Sequence, residues 1–599
     1  MNFHACLLLL FALLSGHFAS AQFAFAQDAS GGPVSSLSVF HRSGQTFVTW
    51  NESEGDVSYH VYRHSVPITN ANLNTAIRLT NKWGPLGSDT SVNAHARDPV
   101  PATYVINDLG SPLSQSTGLF VYTASETGNA FYAITTVTGG KELRDIVPGV
   151  NSLADGVSES VSAPTPVLTA SLNGGSGLVY TQFMDYSNWN PTLNGYAYNY
   201  SLALPTGYTK SRSYPLSVSL HAYGEDYPVK EEAEYGWQVI QLFPSDPGYN
   251  QGTVHSWWFG YAADHNYKTD GAIPSQGRVE NFTEQRVMQT ISEVIRNPDI
   301  NVNPQLVHLY GHSMGASGSL SIGMRYGDSI AGAYSSEPMT NYRSSPLFQE
   351  ELERLWGRQS DNLPVYNSGP NSSVIQRYNG VGVWDWMNHQ EQLRKRRGDK
   401  MAFLMIAQGK ADEVIDWETQ GAPLAQALND AKVGFSARFQ AGAGHAWLGF
   451  TGVVHSLFGF GYDAEFPWRY PLQMSFPAIQ NASGGGSLTP GLQVHDEYNL
   501  NIEWATRYTE FAPPVLDEPR RYEISLRSTE GVQTADITPR NTQRFKVQAG
   551  VQCQWTTTSN NERRKLGKGV VAADRDSLIT VKNVAIHTDK GTLLSISCP

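Results

Sequence analysis

The 599-residue sequence has few of the residues that mark several large classes of protein. It holds three cysteines, and none of its Cys and His residues cluster with the spacing of metal ligands, so we expect no metal and no cofactor. Lys and Arg number 42 against 54 Asp and Glu, and the net charge of −12 argues against a broad basic surface for nucleic acid. The sequence also lacks a solenoid period, which excludes a repeat protein.

Long apolar runs are absent as well, with one exception at the N-terminus. Residues 5–14 are apolar, and the A-x-A sequences at 19–21 and 24–26 are typical of cleavage sites, so residues 1–26 are predicted to be a secretory signal peptide. No other stretch reaches the ~18 apolar residues that a membrane span needs. We therefore expect a secreted protein, extracellular or periplasmic, with no membrane insertion.

Export also bears on the cysteines. Cys6 would leave with the signal peptide, so that Cys553 and Cys598 remain near the C-terminus. In an oxidising compartment these two residues could form a disulfide, and the alternative is two buried free thiols.

The composition is typical of a folded, multidomain protein. Apolar residues make up 40% of the chain and charged residues 16%, and the length predicts about three or four domains. Short alternating strands predict a β-sandwich at 31–160 and another at 474–599. Between them, alternating strands and helices predict an α/β domain at 165–473, with an amphipathic helix at 279–297.

The pentapeptide 311–315, with the sequence G-H-S-M-G, is the focus of the middle domain. A short buried strand is predicted before it at 306–310, and a helix of small residues after it at 316–326. This order is typical of a nucleophile elbow, in which a serine hydroxyl stands on a sharp turn beside a base. The flanking glycines are expected because strand and helix pass close together there. Ser313 is therefore the candidate nucleophile.

An activated serine needs a histidine base, and the histidine needs a carboxylate that orients it. Asp412 and His445 follow Ser313 in the chain, each just beyond a predicted strand, where sites form in an open α/β sheet. Asp416 and Glu337 are competing carboxylates, and Asp412 is preferred because a turn places it directly after its strand. Taken alone, each acid could equally be a solvated loop residue, and the histidine a surface one.

Acyl transfer also requires hydrogen-bond donors for the oxyanion. The backbone N–H of Met314 is the first candidate. The second is expected from the turn after the predicted strand 216–220, with Tyr223 preferred to Ala222. His221 in the same turn is expected to be structural.

Two tryptophans are candidates for contact with the substrate. Trp257 begins the aromatic run 257–261, which could line a pocket for an acyl or alcohol group or could form a small hydrophobic core below a loop. Trp447 lies two residues after His445 and is expected to face the site.

These motifs resemble those of a known family. The turn L-H-A-Y-G at 220–224, the elbow at 311–315 and the sequence G-K-A-D at 409–412 are similar to the oxyanion turn, elbow and acid turn of esterase and prolyl-oligopeptidase-like α/β-hydrolases. Ala222 stands where that group usually has glycine. The resemblance implies a serine hydrolase whose core is a mostly parallel sheet with helices on both faces.

The N-terminal segment resembles a fibronectin type III module. The sequences V-T-W at 48–50, Y-H-V-Y-R at 59–63 and F-Y-A-I at 131–134 carry the resemblance, because Trp and Tyr at such positions form the core of the sandwich. The resemblance implies an accessory role for this segment.

Three functions are compatible with the sequence. The first is a secreted serine esterase that forms an acyl-enzyme, with polymeric substrates such as acylated polysaccharides or polyesters. The second is a prolyl-oligopeptidase-like peptidase, although about 130 N-terminal residues are too few for the propeller of those enzymes. The third is a non-catalytic binding or adhesion protein with a hydrolase-like core, against which the complete set of Ser, Asp and His argues.

Overall fold

The structure is a computed structural model, and it describes residues 34–55, 57–80, 104–189, 197–233, 238–246, 255–263, 272–448, 470–484, 496–506, 511–560 and 564–599. The predicted signal peptide lies outside these residues. None of the described helices is long and apolar enough to cross a membrane.

The N-terminal strands form two antiparallel sheets. The strands are β1 (Ser35–Arg42), β2 (Gln45–Asn51), β3 (Val57–His64), β4 (Ile77–Arg78), β5 (Thr117–Thr123), β6 (Gly128–Thr138), β7 (Lys141–Leu143) and β8 (Val157–Glu159). One sheet has the order β1-β2-β5, and the other the order β4-β3-β6-β7 with β8 beside β6. Trp50, Tyr59 and Tyr132, from both sheets, are buried in one cluster. Two sheets around one core are the arrangement of a β-sandwich, while the likeness to fibronectin type III stays a prediction.

The middle of the chain builds a ten-stranded sheet. The strands of this region are β9 (Val167–Leu172), β10 (Gly177–Phe183), β11 (Ala197–Ala203), β12 (Tyr214–Leu220), β13 (Ile240–Pro244), β14 (Tyr261–Ala262), β15 (Val279–Glu280), β16 (Val302–His312), β17 (Gly332–Ser336), β18 (Val365–Tyr366), β19 (Phe403–Gly409), β20 (Phe435–Gln440), β21 (Phe476–Gln480) and β22 (Asp496–Tyr498). The order in the sheet is β22-β20-β19-β17-β16-β12-β13-β11-β10-β9. From β20 to β13 the neighbouring strands are parallel.

The described residues form few helices, and most are short. They are α1 (Phe282–Arg296), α2 (Met314–Arg325), α3 (Gln349–Trp356), α4 (Ser373–Gln376), α5 (Val383–Trp386), α6 (His389–Lys395) and α7 (Ala422–Ala431). The predicted helix 279–297 is α1, except that its first two residues form β15, which pairs with β14 and β18. The described part of the chain is rich in β-structure.

The two faces of the central sheet pack against different partners. On β19, Leu404 and Ile406 belong to the cluster that contains the buried residues of α1, α2 and α7. Phe403 and Met405, whose side chains alternate with these, belong to a second cluster built with the C-terminal strands. No helix of the described part of the chain contributes to that second cluster. The predicted helices on both faces are therefore corrected here: a β-domain covers one face, because its apolar residues bury that side of the strands.

The C-terminal region forms two further sheets. Its strands after β22 are β23 (Ile502–Trp504), β24 (Leu516–Glu518), β25 (Arg521–Ser528), β26 (Gln533–Arg540), β27 (Gln552–Ser559), β28 (Lys565–Ala572), β29 (Val581–Ile586) and β30 (Thr592–Ser597). One sheet has the order β21-β26-β29, and the other contains β23, β24, β25, β30, β27 and β28. Cys553 and Cys598 form a disulfide, so the pairing that the sequence allowed is present.

One strand crosses the predicted boundary between the last two domains. β22, which the sequence placed in the domain 474–599, pairs antiparallel with β20 and completes the edge of the ten-stranded sheet. Its Tyr498 packs in the core of the middle domain, against Phe435 and Phe439. The C-terminal region is therefore tied to the middle domain by pairing as well as by packing.

This topology sets the place of the site. β12, β16, β17, β19 and β20 are parallel, so the segments that follow them meet at one edge of the sheet. All of the candidate catalytic residues lie in those segments.

Candidate active site

Ser313 stands at the junction of β16 and α2. The strand ends at His312 and the helix begins at Met314, so a single residue makes the turn. Its backbone has φ 55° and ψ −118°, a conformation that residues other than glycine rarely adopt. The turn is thus the sharp, strained elbow that the G-x-S-x-G pattern indicates.

Two glycines make room for this turn. A β-carbon on Gly311 would lie 2.3 Å from the carbonyl carbon of Gly315, and one on Gly315 would lie 1.9 Å from the carbonyl oxygen of Leu220. Both distances are far shorter than any van der Waals contact. Because the obstructing atoms belong to the backbone, a side chain at either position would push the strand, the helix or the turn after β12 out of place.

His445 connects Ser313 with Asp412. Its Nε2 lies 2.8 Å from Oγ of Ser313, and its Nδ1 lies 2.8 Å from Oδ2 of Asp412. The carboxylate can only accept, so Nδ1–H donates to it, and Nε2 accepts from the serine hydroxyl. The structure thus brings the three predicted residues, which follow three different strands, into one hydrogen-bonded chain.

Asp412 is held ionised in a nearly buried position, with 5% of its surface exposed. Its Oδ1 accepts from the N–H groups of Val414 and Ile415, at 2.7 and 2.9 Å. Burial by itself raises the pKa of Asp412, but its interactions, above all the hydrogen bonds with His445 and the N–H of Ile415, outweigh burial, and the pKa is lowered overall. A carboxylate in this state can orient an imidazole and stabilise its protonated form.

Glu337, the residue after β17, lies beside Asp412. One oxygen of each carboxyl group and one nitrogen of His445 lie within 4.8 Å of one another. Oε1 of Glu337 accepts from the N–H of Gly409 at 2.8 Å. Burial, followed by the charge of the neighbouring Asp412, raises the pKa of Glu337 well above its ordinary value. The raised pKa favours the neutral, protonated form of Glu337, and the sequence, which offered it only as a rival acid, missed this position.

Asp416, the other competing carboxylate, is placed elsewhere. Its Oδ1 accepts from the backbone N–H and the hydroxyl of Thr419, both at 2.8 Å, and so caps the helical turn Trp417–Gly421. The residue has no contact with His445 in the part of the chain that the structure describes. Its role there is that of a helix cap.

The turn after β12 adjoins the elbow, as the contact between Gly315 and Leu220 requires. The N–H of Ala222 donates to Oε2 of Glu225 at 3.0 Å, which favours Tyr223 as the second oxyanion donor. Met314 is the first residue of α2, so its N–H has no helical carbonyl four residues before it. The N-terminal end of α2 also carries the positive pole of the helix dipole.

A pair of buried histidines holds this turn. His221 accepts at Nε2 from the N–H of Asp246 at 2.9 Å, and His255 accepts at Nε2 from the N–H of Gly224 at 3.0 Å. Nδ1–H of His255 donates to the carbonyl oxygen of Asp246 at 2.7 Å. Burial is the main cause that lowers the pKa of His221, which keeps it neutral. The structural role expected for His221 fits these contacts, whereas His255 carries no sequence signal except its place beside the aromatic run.

The rings of Trp447 and His312 stack beside His445. The two rings are 5.2 Å apart at an angle of 30°, and the ring of His312 is 4.9 Å from that of His445. Burial, then the neighbouring His445, lowers the pKa of His312 to about 4. Trp447 is partly exposed, and its contact with the neighbourhood of His445 is through the ring of His312.

Trp257 does not offer a face to the site. It is 1% exposed, and its indole N–H donates to Oε1 of Glu351 at 3.1 Å. The hydroxyl of Tyr223 donates to Oε2 of the same carboxyl group at 2.9 Å. The direct role of Trp257 in substrate binding is thus corrected in favour of the alternative, a buried core, because its neighbours enclose the ring. Its remaining link with the site is through Glu351 and Tyr223.

We assign no metal to the group formed by Glu337, Asp412 and His445. Both ring nitrogens of His445 already take part in hydrogen bonds, with Ser313 and with Asp412. The imidazole therefore has no lone pair left to bind a cation while the hydrogen-bonded chain is intact.

Neither a protein-family model nor a curated protein matches the sequence. Solved structures are similar at low identity. An S-formylglutathione hydrolase from Agrobacterium tumefaciens is 12% identical with a TM-score of 0.33, over 47% of this chain and 93% of that chain. A ferulic acid esterase from Anaeromyces mucronatus is 15% identical with a TM-score of 0.26, over 48% of this chain and 86% of the esterase.

A dipeptidyl peptidase 4 from Porphyromonas gingivalis is also similar. It is 12% identical, with a TM-score of 0.31, and the match covers 58% of this chain. The chain spans about half of the length of the peptidase, 49%. Esterases and a peptidase are thus among the proteins to which the chain is similar. At these TM-scores the similarity identifies neither a family nor a substrate, and the function has to follow from the geometry of the site.

Proposed function

We propose that the protein is a serine hydrolase that cleaves carboxylic esters through an acyl-enzyme. One observation carries the proposal: the hydrogen-bonded chain from Ser313 through His445 to Asp412, with 2.8 Å at each step. A serine on a strained turn with a base in reach is the arrangement that nucleophilic catalysis requires.

In the acylation step, Oγ of Ser313 attacks the ester carbonyl carbon while Nε2 of His445 takes the hydroxyl proton. Asp412, ionised and fixed by two backbone N–H groups, stabilises the imidazolium that forms. The N–H groups of Met314 and Tyr223 donate to the oxyanion of the tetrahedral intermediate. The imidazolium then gives its proton to the departing alcohol.

Deacylation repeats these steps with water. His445 takes a proton from a water molecule as it attacks the acyl carbon, and returns the proton to Ser313 as the acid leaves. Each residue resumes its starting state, and no metal is needed in the scheme.

The substrate is proposed to be a polymeric ester, such as an acylated polysaccharide or a polyester, and the protein to be secreted. Tyr223, 39% exposed, and the partly exposed Trp447 are aromatic residues near the nucleophile that could contact a sugar or aryl group. The flanking β-domains are proposed to have accessory roles on such a substrate. The N-terminal signal pattern at 1–26 supports secretion.

A panel of substrates tests the proposal with the wild-type protein and Ser313→Ala. We expect hydrolysis of a short-chain p-nitrophenyl ester, and none of a peptide p-nitroanilide. Ser313→Ala should lower kcat by about 10⁴-fold or more while the melting temperature stays near that of the wild type. Ser292→Ala on α1, whose hydroxyl donates to the carbonyl oxygen of Met288 at 2.8 Å, serves as the matched control for a lost serine hydroxyl.

Each alternative predicts a different result from this panel. Faster cleavage of the anilide would make the protein a peptidase. Near-wild-type turnover in folded Ser313→Ala would show that Ser313, His445 and Asp412 are not the catalytic triad. Binding to a polymer without turnover would favour an adhesion protein.

A further inference from the structure

We infer that Glu337 is a positioning residue that holds Asp412 through a hydrogen bond between their two carboxyl groups, which share one proton. The inference rests on the proposed serine hydrolase function and adds a fourth side chain to its catalytic chain. It assigns Glu337 a neutral donor role rather than the charged role of a triad acid.

The surroundings of the two carboxyl groups support a shared proton. Glu337 is 0% exposed, its Oε1 accepts from the N–H of Gly409 at 2.8 Å, and no N–H or O–H group of the described residues donates to its Oε2. An oxygen of Glu337 and an oxygen of Asp412 lie within 4.8 Å of each other and of a His445 nitrogen. Two ionised carboxylates cannot stay this close in a buried site, so one of them keeps a proton.

The proton belongs on Glu337 because Asp412 has more donors. Asp412 accepts from His445 and from the N–H groups of Val414 and Ile415, whereas Glu337 accepts from one N–H group. Hydrogen bonds to the charged form of a carboxyl group favour that form. With its proton on Oε2, Glu337 can donate a hydrogen bond to the carboxylate of Asp412.

The backbone conformation at Glu337 also orients its side chain. Glu337 has φ 62°, a left-handed conformation that costs free energy in a residue other than glycine. Its N–H donates to the carbonyl oxygen of Ala407 at 2.8 Å, which anchors it to β19 just before the loop of Asp412. The turn after β17 therefore points toward the acid loop of the neighbouring parallel strand.

The other titratable groups around the pair are accounted for. The ring of His312 lies 4.9 Å from that of His445, and the phenol of Tyr334, on β17, donates to the carbonyl oxygen of Leu448. Lys410, on the acid loop, is 2% exposed and lies over the ring of Trp417 at 5.1 Å. None of these hydrogen bonds occupies Oε2 of Glu337.

The consequence for catalysis has two parts. A donor on one side of Asp412 keeps its Oδ2 turned to His445, so removal of the donor should lower kcat with little effect on KM. The donor also withdraws charge from the carboxylate, which then stabilises the imidazolium less. Without it, both the carboxylate and the imidazolium hold their protons to higher pH, so the acid limb of the activity profile should move upward.

Two substitutions separate a neutral donor from a charged acid. Glu337→Gln keeps both functions, because its amide N–H₂ donates to Asp412 and its oxygen accepts from Gly409. Glu337→Met fills the same space without a donor. We expect Glu337→Gln to keep its rate within about fivefold of the wild type. Glu337→Met should lose about 10–100-fold in kcat, with KM within about twofold. Asp416→Asn is the control for an acid of the same loop outside the chain.

The readouts are kcat and KM for the p-nitrophenyl ester from pH 5 to 8, with and without EDTA, and the rate at which a fluorophosphonate labels Ser313. In Glu337→Met the acid limb of both rates should move up by about 0.5–1 pH unit, while Glu337→Gln matches the wild type. Melting temperatures show that each variant is folded. The labelling rate reports the activation of Ser313 without any assumption about the ester.

The possible results point in distinct directions. Equal losses in Glu337→Gln and Glu337→Met would show that a charged carboxylate is needed and overturn the inference, as would a wild-type profile in Glu337→Met. Loss of the wild-type rate with EDTA would overturn it too, because a cation would then join the carboxyl groups. A wild type that neither hydrolyses the ester nor takes the label would overturn the proposed function itself, and this inference with it.

Discussion

The carbonyl oxygen of Leu220 lies 1.9 Å from the point where a β-carbon at position 315 would stand. This contact brings the turn after β12, which carries Tyr223, against the elbow after β16, which carries Ser313. The close approach depends on a glycine in the first turn of α2, since the opposing atom belongs to the backbone and cannot rotate away.

Gly315→Ala should therefore damage catalysis by displacing the turn that carries the second oxyanion donor. We expect kcat to fall by about 10²–10³-fold, the cost of losing one such donor. Gly398→Ala is the control, because its nearest atom would be 3.5 Å away, an ordinary contact. The measurements are kcat for the p-nitrophenyl ester and the melting temperature of both variants and the wild type. An active Gly315→Ala would show that the turn does not supply the oxyanion donor.

Asp412→Asn should lower kcat by about 10⁴-fold, because an amide no longer fixes the histidine tautomer or stabilises the imidazolium. Asp416→Asn is the matched control on the same loop. It should stay within about twofold of the wild type, since asparagine also caps a helix. Steady-state kinetics of the two folded variants decide between them. A larger loss in Asp416→Asn would show that Asp416 rather than Asp412 is the acid of the triad, and the assignment of Ser313 as the nucleophile would not change.

His308 should make the protein less stable in mild acid. It is 0% exposed on β16, its Nε2 lies 3.2 Å from the carbonyl oxygen of Tyr470, and burial lowers its pKa from 6.5 to about 4. Between these two pH values the unfolded chain binds a proton that the folded chain does not. The free energy of unfolding therefore has its full value, as far as His308 is concerned, above about pH 6.5, and it decreases as the pH falls toward 4. At pH 4.5 the decrease is about 2–3 kcal/mol.

His308→Gln tests this, because the amide can still donate to Tyr470 but does not titrate. Urea titrations at pH 7 and pH 4.5 give the loss of unfolding free energy between the two pH values. This loss should be smaller in the variant than in the wild type by about 2–3 kcal/mol. His64→Gln, a substitution in the N-terminal sheets, is the control. Equal pH dependence in His308→Gln and the wild type would contradict the prediction.

The disulfide between Cys553 and Cys598 should stabilise the C-terminal strands. It closes a loop across a sequence separation of 45, which corresponds to about 2–4 kcal/mol in the free energy of unfolding. In calorimetry, a reductant should lower the melting temperature of the wild type. The double substitution of both cysteines by alanine should melt at the lower temperature with or without the reductant. A wild-type melting temperature that is insensitive to full reduction would show that the bond adds nothing.

Local patterns predicted the elements around the nucleophile closely. The predicted strand 306–310 lies within β16, and the helix predicted at 316–326 is α2, which begins two residues earlier. Both follow from short-range rules, since apolar runs, small residues and glycines act within a few positions of each other. The start of α1 was predicted less accurately, because Val279 pairs with strands that are distant in the chain.

The sequence by itself determined the elbow and the order of Ser313, Asp412 and His445, because strand ends and glycine spacing are written in neighbouring residues. Only the tertiary structure decided that Asp412 faces His445 while Asp416 caps a helix, that Glu337 meets Asp412, and that Trp257 is buried. It also decided that β-strands rather than helices cover one face of the central sheet. These outcomes depend on which segments meet across parallel strands, and a contact between residues far apart in the chain leaves no local pattern to read.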